Sequence, residues 1–396
     1  NKVSPTHDGG YIGIGTTSSN CYNEGAILVV KLDAGGEVIW NKVIDFGEGH
    51  GSEGKDILET AEGNFALAGL RRSAGIATDW ITGILNSDGE MSWIKQTGSD
   101  KARKNISLVE RDGMLVAASA ILEGTAYDAV IWKMNKNDGS LLNMRQYDIG
   151  GQSDIANSLV KTASGYKLAV VTGETGSVLM DISEDGSVTA AKKIQSPASG
   201  QTDPGSWTIA STKDGGVIGV NANDDAYWYK FDSNNNLQWN SHSRISERKE
   251  RPGRVLQQAD GSYAAAGEVL ASENHALLML ANKDGKTGCN DIAENITITD
   301  VTGSCSSKTP GTQAAVSINT SYISTVAFNG RLTTPVITAA GCPGIDSCYT
   351  VFDGPLLCGN TTAAYPEIAL PEINSCSDTT LMSETKGMEL YYAYRD

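Results

Sequence analysis

Few residues in this chain could do chemistry: four histidines, seven cysteines and one run of alternating oxygen donors. His7, His50, His242 and His275 fall at dissimilar places, and no serine and acid stand at matching spacing, so a Ser–His–acid relay has no support. No CxxC pair exists, and every histidine precedes the cysteine-rich end, so zinc does not fit. The stretch Asp232-Ser-Asn234-Asn-Asn236 offers oxygen donors at alternate positions, the pattern of a calcium loop. It lacks the later bidentate carboxylate, and five sister stretches read as plain turns, so the turn reading outweighs the calcium one. No cofactor is expected, and the chain is read as noncatalytic.

The elements that position these residues come from an internal repeat. Turn-forming stretches begin at Asp8, Glu62, Asp112, Ser164, Asp214 and Asp260, at steps of 54, 50, 52, 50 and 46 residues. Each is followed by a second turn, as in LDAGGEVIW, LNSDGEMSW and FDSNNNLQW. About 50 residues with two hairpins per period is the signature of a propeller blade. Gly9, Gly63, Gly113, Gly165, Gly215 and Gly261 align in the first turn. In the second turn the column reads Gly36, Gly89, Gly139, Gly186, Asn235 and Gly285. The one exception is Asn, the residue that best tolerates left-handed backbone, so geometry selects the column. Short polar residues before it (Asp33, Asn86, Asn135, Ser183, Asp232 and Asn282) are expected to bond the amides ahead of them. Trp40, Trp93 and Trp239 recur four residues past the turn column and are read as wedges between blades. The fold class is all-β: a six-bladed β-propeller over 1–288, followed by a small Cys-rich, sandwich-like β domain over 289–396.

That second module is separated by composition. Six of the seven cysteines and six of the ten prolines lie beyond Gly288, while basic residues nearly vanish. Strands are expected at 315–326, 331–339 and 390–394 from their alternation. Cys289, Cys305, Cys342, Cys348, Cys358 and Cys376 fit disulfides formed outside the cytoplasm, with fifteen pairings open. Cys342 and Cys348 make the preferred local pair. Cys21 stands apart in the first blade, either free or tying the two modules together. The chain opens at Asn1 inside a strand-like stretch, without a basic or apolar leader, and is expected to be part of a longer protein.

Propellers usually bind on the face where loops lead into the first strand of each blade. The connections 46–55, 97–104, 149–156, 196–206 and 243–253, with the strand entries just after them, therefore supply the binding candidates Glu53, Lys104, Asp154, Trp207 and Arg254. Trp207 is either a platform for a sugar or peptide or a packing residue between loops. A net charge of −16 disfavours nonspecific binding to nucleic acid and to anionic membranes. Apolar stretches such as 26–30 are far too short to span a bilayer.

Ser87-Asp-Gly-Glu-Met-Ser-Trp93 is superficially similar to the SxDxGxxW turn of sialidase-type propellers. Asp88 and Gly89 are adjacent, however, and no arginine cluster recurs on one face. The whole repeat, a DGGY-type turn followed by a VVKLDAGGEVIWNK-type hairpin, resembles the propeller repeats of large secreted Bacteroidota proteins over residues 1–290. That resemblance implies type IX export, a cell-surface or extracellular location, and adhesion or scaffolding. Glycan or protein partners, and further domains of the same longer chain, are the expected contacts. No catalytic residues carry over.

Overall fold

A computed structural model describes residues 1–19, 22–46, 50–72, 78–97, 105–173, 176–195, 207–223, 225–243, 249–270, 275–287 and 296–309, together with strands at 316–317, 324–326, 338–341, 348–351 and 389–394. The protein is all-β, with six sheets arranged as a six-bladed β-propeller. Blade one holds β1 (Lys2–Pro5), β2 (Tyr11–Ser19), β3 (Tyr22–Leu32) and β4 (Val38–Asp45). Blade two holds β5 (Ser52–Glu59), β6 (Phe65–Arg72), β7 (Thr78–Leu85) and β8 (Met91–Thr97). Blade three holds β9 (Ser107–Arg111), β10 (Met114–Glu123), β11 (Ala126–Asn135) and β12 (Leu141–Ile149). Blade four holds β13 (Asp154–Thr162), β14 (Gly165–Thr172), β15 (Gly176–Ser183) and β16 (Val188–Gln195). Blade five holds β17 (Trp207–Ser211), β18 (Val217–Asn223), β19 (Asp225–Phe231) and β20 (Leu237–Ser243). Blade six begins with β21 (Lys249–Gln257), β22 (Tyr263–Leu270) and β23 (His275–Ala281).

The chain divides into two compact units: Asn1–Leu159 with Ser306–Thr333 and Ala369–Glu384, and Val160–Cys305 with Thr334–Ile368 and Thr385–Asp396. Within each unit the core lies between blades, because the middle strands of blades two to five are buried on both faces. In β6, Phe65 and Leu67 pack on Ile12, Ile27 and Ile44 of blade one. Ala66, Ala68 and Leu70 alternate with them and face Leu115, Ala117 and Trp132 of blade three. This is the period of two expected of a strand, and the small alanines let the neighbouring blade approach. In the second unit Ala169, Val171 and Leu179 meet Ile209, Val217 and Phe231. Trp228 and Val220 then meet Tyr263 and Met279.

Both turn columns behave as the sequence predicts. Every aligned glycine has positive φ, and Asn235 joins them at 63°. The residues ahead of the second turn close it: Asp33 Oδ1 accepts from the amides of Gly35 (2.8 Å) and Glu37 (2.9 Å), and Asn282 Oδ1 from those of Asp284 and Lys286. The tryptophan column wedges between blades. Trp40 meets the Phe65 ring edge-on at 5.7 Å, and Trp239 meets Tyr263 at 5.6 Å. Each also lies over the second turn of the next blade: Trp40 Nε1 donates to Ser87 O (3.1 Å) and Trp93 Nε1 to Lys136 O (2.9 Å).

Beyond Gly288 seven short strands are described. Every described strand there joins a sheet that contains propeller strands. Four of them, β24 (Thr297–Asp300), β25 (Cys305–Lys308), β26 (Val316–Ser317) and β27 (Ser324–Val326), lie on the outer edges of β16, β12, β8 and β4. The last three, β28 (Thr338–Gly341), β29 (Cys348–Val351) and β30 (Glu389–Tyr394), extend blade six, with β30 parallel to β23. An open sheet edge presents unpaired amides and carbonyls, which short polar strands can satisfy through backbone bonds alone.

Blades one and five share a lysine clamp. Lys230, nearly buried, donates to Asp214 Oδ2 and to the Phe231 carbonyl, both at 2.8 Å. Asp214 Oδ1 takes the Thr212 hydroxyl and the Gly216 amide. Lys31, Asp8, Thr6 and Gly10 repeat the arrangement. Burial opposes ionisation of Asp214, but Lys230, Thr212 and the Gly216 amide outweigh it and hold the carboxyl at about 2, below the ordinary 3.8. A depressed carboxyl stabilises the fold above its unfolded value and loses that contribution as pH falls through the folded one. Wild type should thus exceed D214N in thermal stability at pH 5 by about 1 kcal/mol, discounted for a half-exposed side chain. The gap should close between about pH 4 and pH 2, and a gap independent of pH would refute the clamp.

Candidate functional site

The clearest gathering of ionisable side chains in the first unit lies where β11, β12 and β13 meet. One carboxylate oxygen each from Asp128, Asp148 and Asp154 lie within 4.8 Å of one another. Asp128 sits near the start of β11, Asp148 near the end of β12, and Asp154 at the first position of β13. Between the last two, Gly150 and Gly151 take φ of 69° and 73°, which curls the connection tightly. The curl is held by its own aspartates: Asp148 Oδ1 accepts from the Gly151 amide (2.7 Å) and Asp154 Oδ2 from the Ile149 amide (2.6 Å). Asp128 and Asp154 are buried and Asp148 is half-buried. Burial, with Asp148 and Glu123 nearby, pushes the Asp128 carboxyl above its ordinary range, against the pull of Gln146 and Lys308. Lys308 reaches the cluster from β25, 3.8 Å from Glu123 and 3.9 Å from Asp128.

Glu53 and Asp154 join separate networks. Glu53 pairs with Lys55 at 2.6 Å and with the Arg72 guanidinium. Arg254 is half-buried on β21, opposite Ala266 and just past a bulge after Pro252. Lys104 lies outside the described residues, as do the side chains of Cys21, Cys289, Cys342, Cys348, Cys358 and Cys376. Cys305 is described, and its Sγ lies 3.4 Å from the Val301 carbonyl, which it faces as a donor.

Trp207 is no platform. It is fully buried in β17, packed with Ala169, Leu179 and Ile209, so the packing alternative is the correct one. A Cβ on Gly219 would fall 2.7 Å from its indole nitrogen, which explains the small residue across the strand pair. Asp232 closes its turn with both carboxylate oxygens. Asp232 Oδ1 accepts from the Asn234 and Asn236 amides at 2.9 and 2.8 Å, and Oδ2 from Asn236 Nδ2 at 2.9 Å. Its sister Asn86, ahead of the sialidase-like Ser87-Asp88-Gly89, closes its turn in the same way. His242 stacks on Tyr227 at 4.4 Å and His7 lies 3.5 Å from Glu59.

Reading the sequence singled out Asp154 but not Asp128, Asp148 or Gln146. The available signal was a repeated pair, Asp79 with Gln96 and Asp128 with Gln146, at matching places in two copies.

No protein-family model matches the chain, and no curated protein does either. Among solved structures, a protein of unknown function from Bacteroides caccae is similar at 12% identity, over 75% of this chain and 99% of that one, with a TM-score of 0.45.

Proposed function

We propose that this chain is a noncatalytic binding module of an extracellular or cell-surface protein, holding a glycan or protein partner at the blade ends where the inter-blade loops leave. The propeller fold is consistent with a binding or structural module. One observation carries the reading: the two ends of the blades are used differently. At the hairpin end, Asp33, Asp232, Lys31 and Lys230 are committed to closing turns. At the opposite end of the first unit stand charged groups that close no hairpin, among them Glu53 with Lys55 and Arg72, and Asp79 beside Arg71 and Gln96. Such charged loop ends are where a propeller presents itself to partners. The resemblance of the repeat to secreted Bacteroidota propellers supports an extracellular setting.

A structural role within a longer extracellular protein is favoured by a different observation. Strands β24 to β27 are laid on blade edges, which ties the segment after the propeller into its sheets.

Glycan arrays and pull-downs with the purified chain test the first reading. Saturable retention of one partner is expected, reduced by E53A or R72A while stability changes by no more than about 0.5 kcal/mol. Turnover of a polysaccharide would replace it with an enzyme. Non-reducing peptide mapping should find Cys342, Cys348, Cys358 and Cys376 oxidised; free labelling of all seven thiols would remove the extracytoplasmic assignment.

A further inference from the structure

Blades two and three carry the same pair of side chains at the same places and differ in what stands beside it. In blade two, Arg71 faces Asp79 across β6 and β7, and Gln96 faces Ile81 across β7 and β8. Gln96 Nε2 donates to Asp79 Oδ2 at 2.5 Å, while its Oε1 accepts from Arg71 Nη1 at 2.8 Å. In blade three, Ile121 faces Asp128, and Gln146 faces Val130. Gln146 Nε2 donates to Asp128 Oδ2 at the same 2.5 Å. Here the arginine is replaced by Ile121, and Gln146 is only 1% exposed with no partner on Oε1. The amide oxygen thus faces the side on which blade two holds a guanidinium.

Where blade two supplies a positive charge, two negative ones stand here, Asp148 of blade three and Asp154 at the start of blade four. Gathering carboxylates away from water costs several kcal/mol unless a cation or proton compensates them. The ammonium of Lys308 stands at the rim, its side chain 55% exposed and no nearer than 3.9 Å to Asp128. A proton would neutralise one carboxyl and leave the amide oxygen unanswered, whereas a metal ion answers both.

We propose that Asp128, Asp148, Asp154 and the Gln146 amide oxygen bind a hard divalent cation of calcium's size. All four donors are oxygens, with no thiolate or imidazole among them, which selects against zinc and copper. Carboxylates from three strands, two of them flanking a curled connection, suit the variable geometry of Ca²⁺ better than the strict octahedron of Mg²⁺, and water completes the shell. The site would pin the third blade to the start of the next strand, where Asp154 opens β13. The inference stands apart from partner binding, since it concerns the metal alone.

The test uses the full chain, dialysed against chelator and titrated with CaCl₂ in a calorimeter and by thermal melting. One saturable site is expected, with Kd in the range of about 10⁻⁵ to 10⁻³ M, and a melting temperature that rises with Ca²⁺ and returns with chelator. D148N keeps an acceptor for the Gly151 amide and should weaken binding at least about tenfold. D232N, in the turn of blade five, should bind as wild type does. Should D148N fail to fold, Tb³⁺ emission sensitised by nearby tyrosines of the wild type, and its quenching by Ca²⁺, reads the same site. Three results would each overturn the proposal: no heat and no melting shift at about 10 mM Ca²⁺, D148N binding as tightly as wild type, or tighter binding of Mg²⁺ than of Ca²⁺.

Discussion

Replacing Trp132 with alanine is expected to cost about 3–5 kcal/mol of stability, the toll of emptying a large site in a core that only partly collapses. Trp132 of β11 stacks on Trp80 of β7 with ring centroids 4.5 Å apart at 21°, and both side chains are fully buried. The pair fills the layer between blades two and three with the methylenes of Leu115 and Met134. Their polar handles differ. Trp80 Nε1 donates to Ser119 Oγ at 2.9 Å, whereas Trp132 Nε1 is buried without a partner. A buried donor without a partner is itself unfavourable, so removing it with its ring offsets part of the loss. W132F should therefore be milder than W80F, and both milder than W132A. Guanidinium midpoints at constant slope measure the order; a W132A midpoint equal to that of wild type would refute the stacked core.

The second large effect is expected at Gly139. Its φ of +68° is a left-handed conformation that a β-branched residue resists, and an added Cβ would fall 2.6 Å from the Trp93 ring. G139V should lose about 2–4 kcal/mol from backbone strain and overpacking together. Trp93→Ala in the same chain should relieve the overpacking and leave the strain, giving a coupling of about 1–2 kcal/mol in a double-mutant cycle. Additive losses would mean that the ring and the turn do not meet. Blade five supplies a natural control. The preceding blade carries Ala190 in place of tryptophan, and the turn holds Asn235 at φ 63° rather than glycine. Asn235 occupies the vacated space, donating to Asp181 Oδ2 at 2.9 Å and accepting from Lys167.

That pairing shows how far the sequence could be read. Columns set by backbone geometry were legible from residue type alone, because only glycine and asparagine suit positive φ. The tryptophan wedges were legible from recurrence. What escaped was the dependence between columns in blade five, where asparagine takes the glycine position and the preceding tryptophan is missing. Trp207 was ambiguous because a tryptophan leading a strand looks alike whether it is exposed or buried; Gly219 across the strand was the discriminating residue. The Asp128 cluster was invisible because its members are separated in sequence and only register brings them together. The edge strands TITD and CSSK were not singled out for a related reason. They carry no apolar alternation, since backbone bonds rather than side-chain burial hold them.

Those edge strands also set a timetable for synthesis. β4 receives its outer partner only when residues 324–326 exist, and β16 only when 297–300 do. As the polypeptide emerges from the ribosome, the rim of an early blade remains an open template while later blades are still being made. Contacts so distant in sequence close slowly, and a nascent or truncated chain lacking the later strands exposes unpaired edges to any extended segment nearby. The same pairings that finish the mature blades thus leave a window in which edge-to-edge misassembly competes with completion.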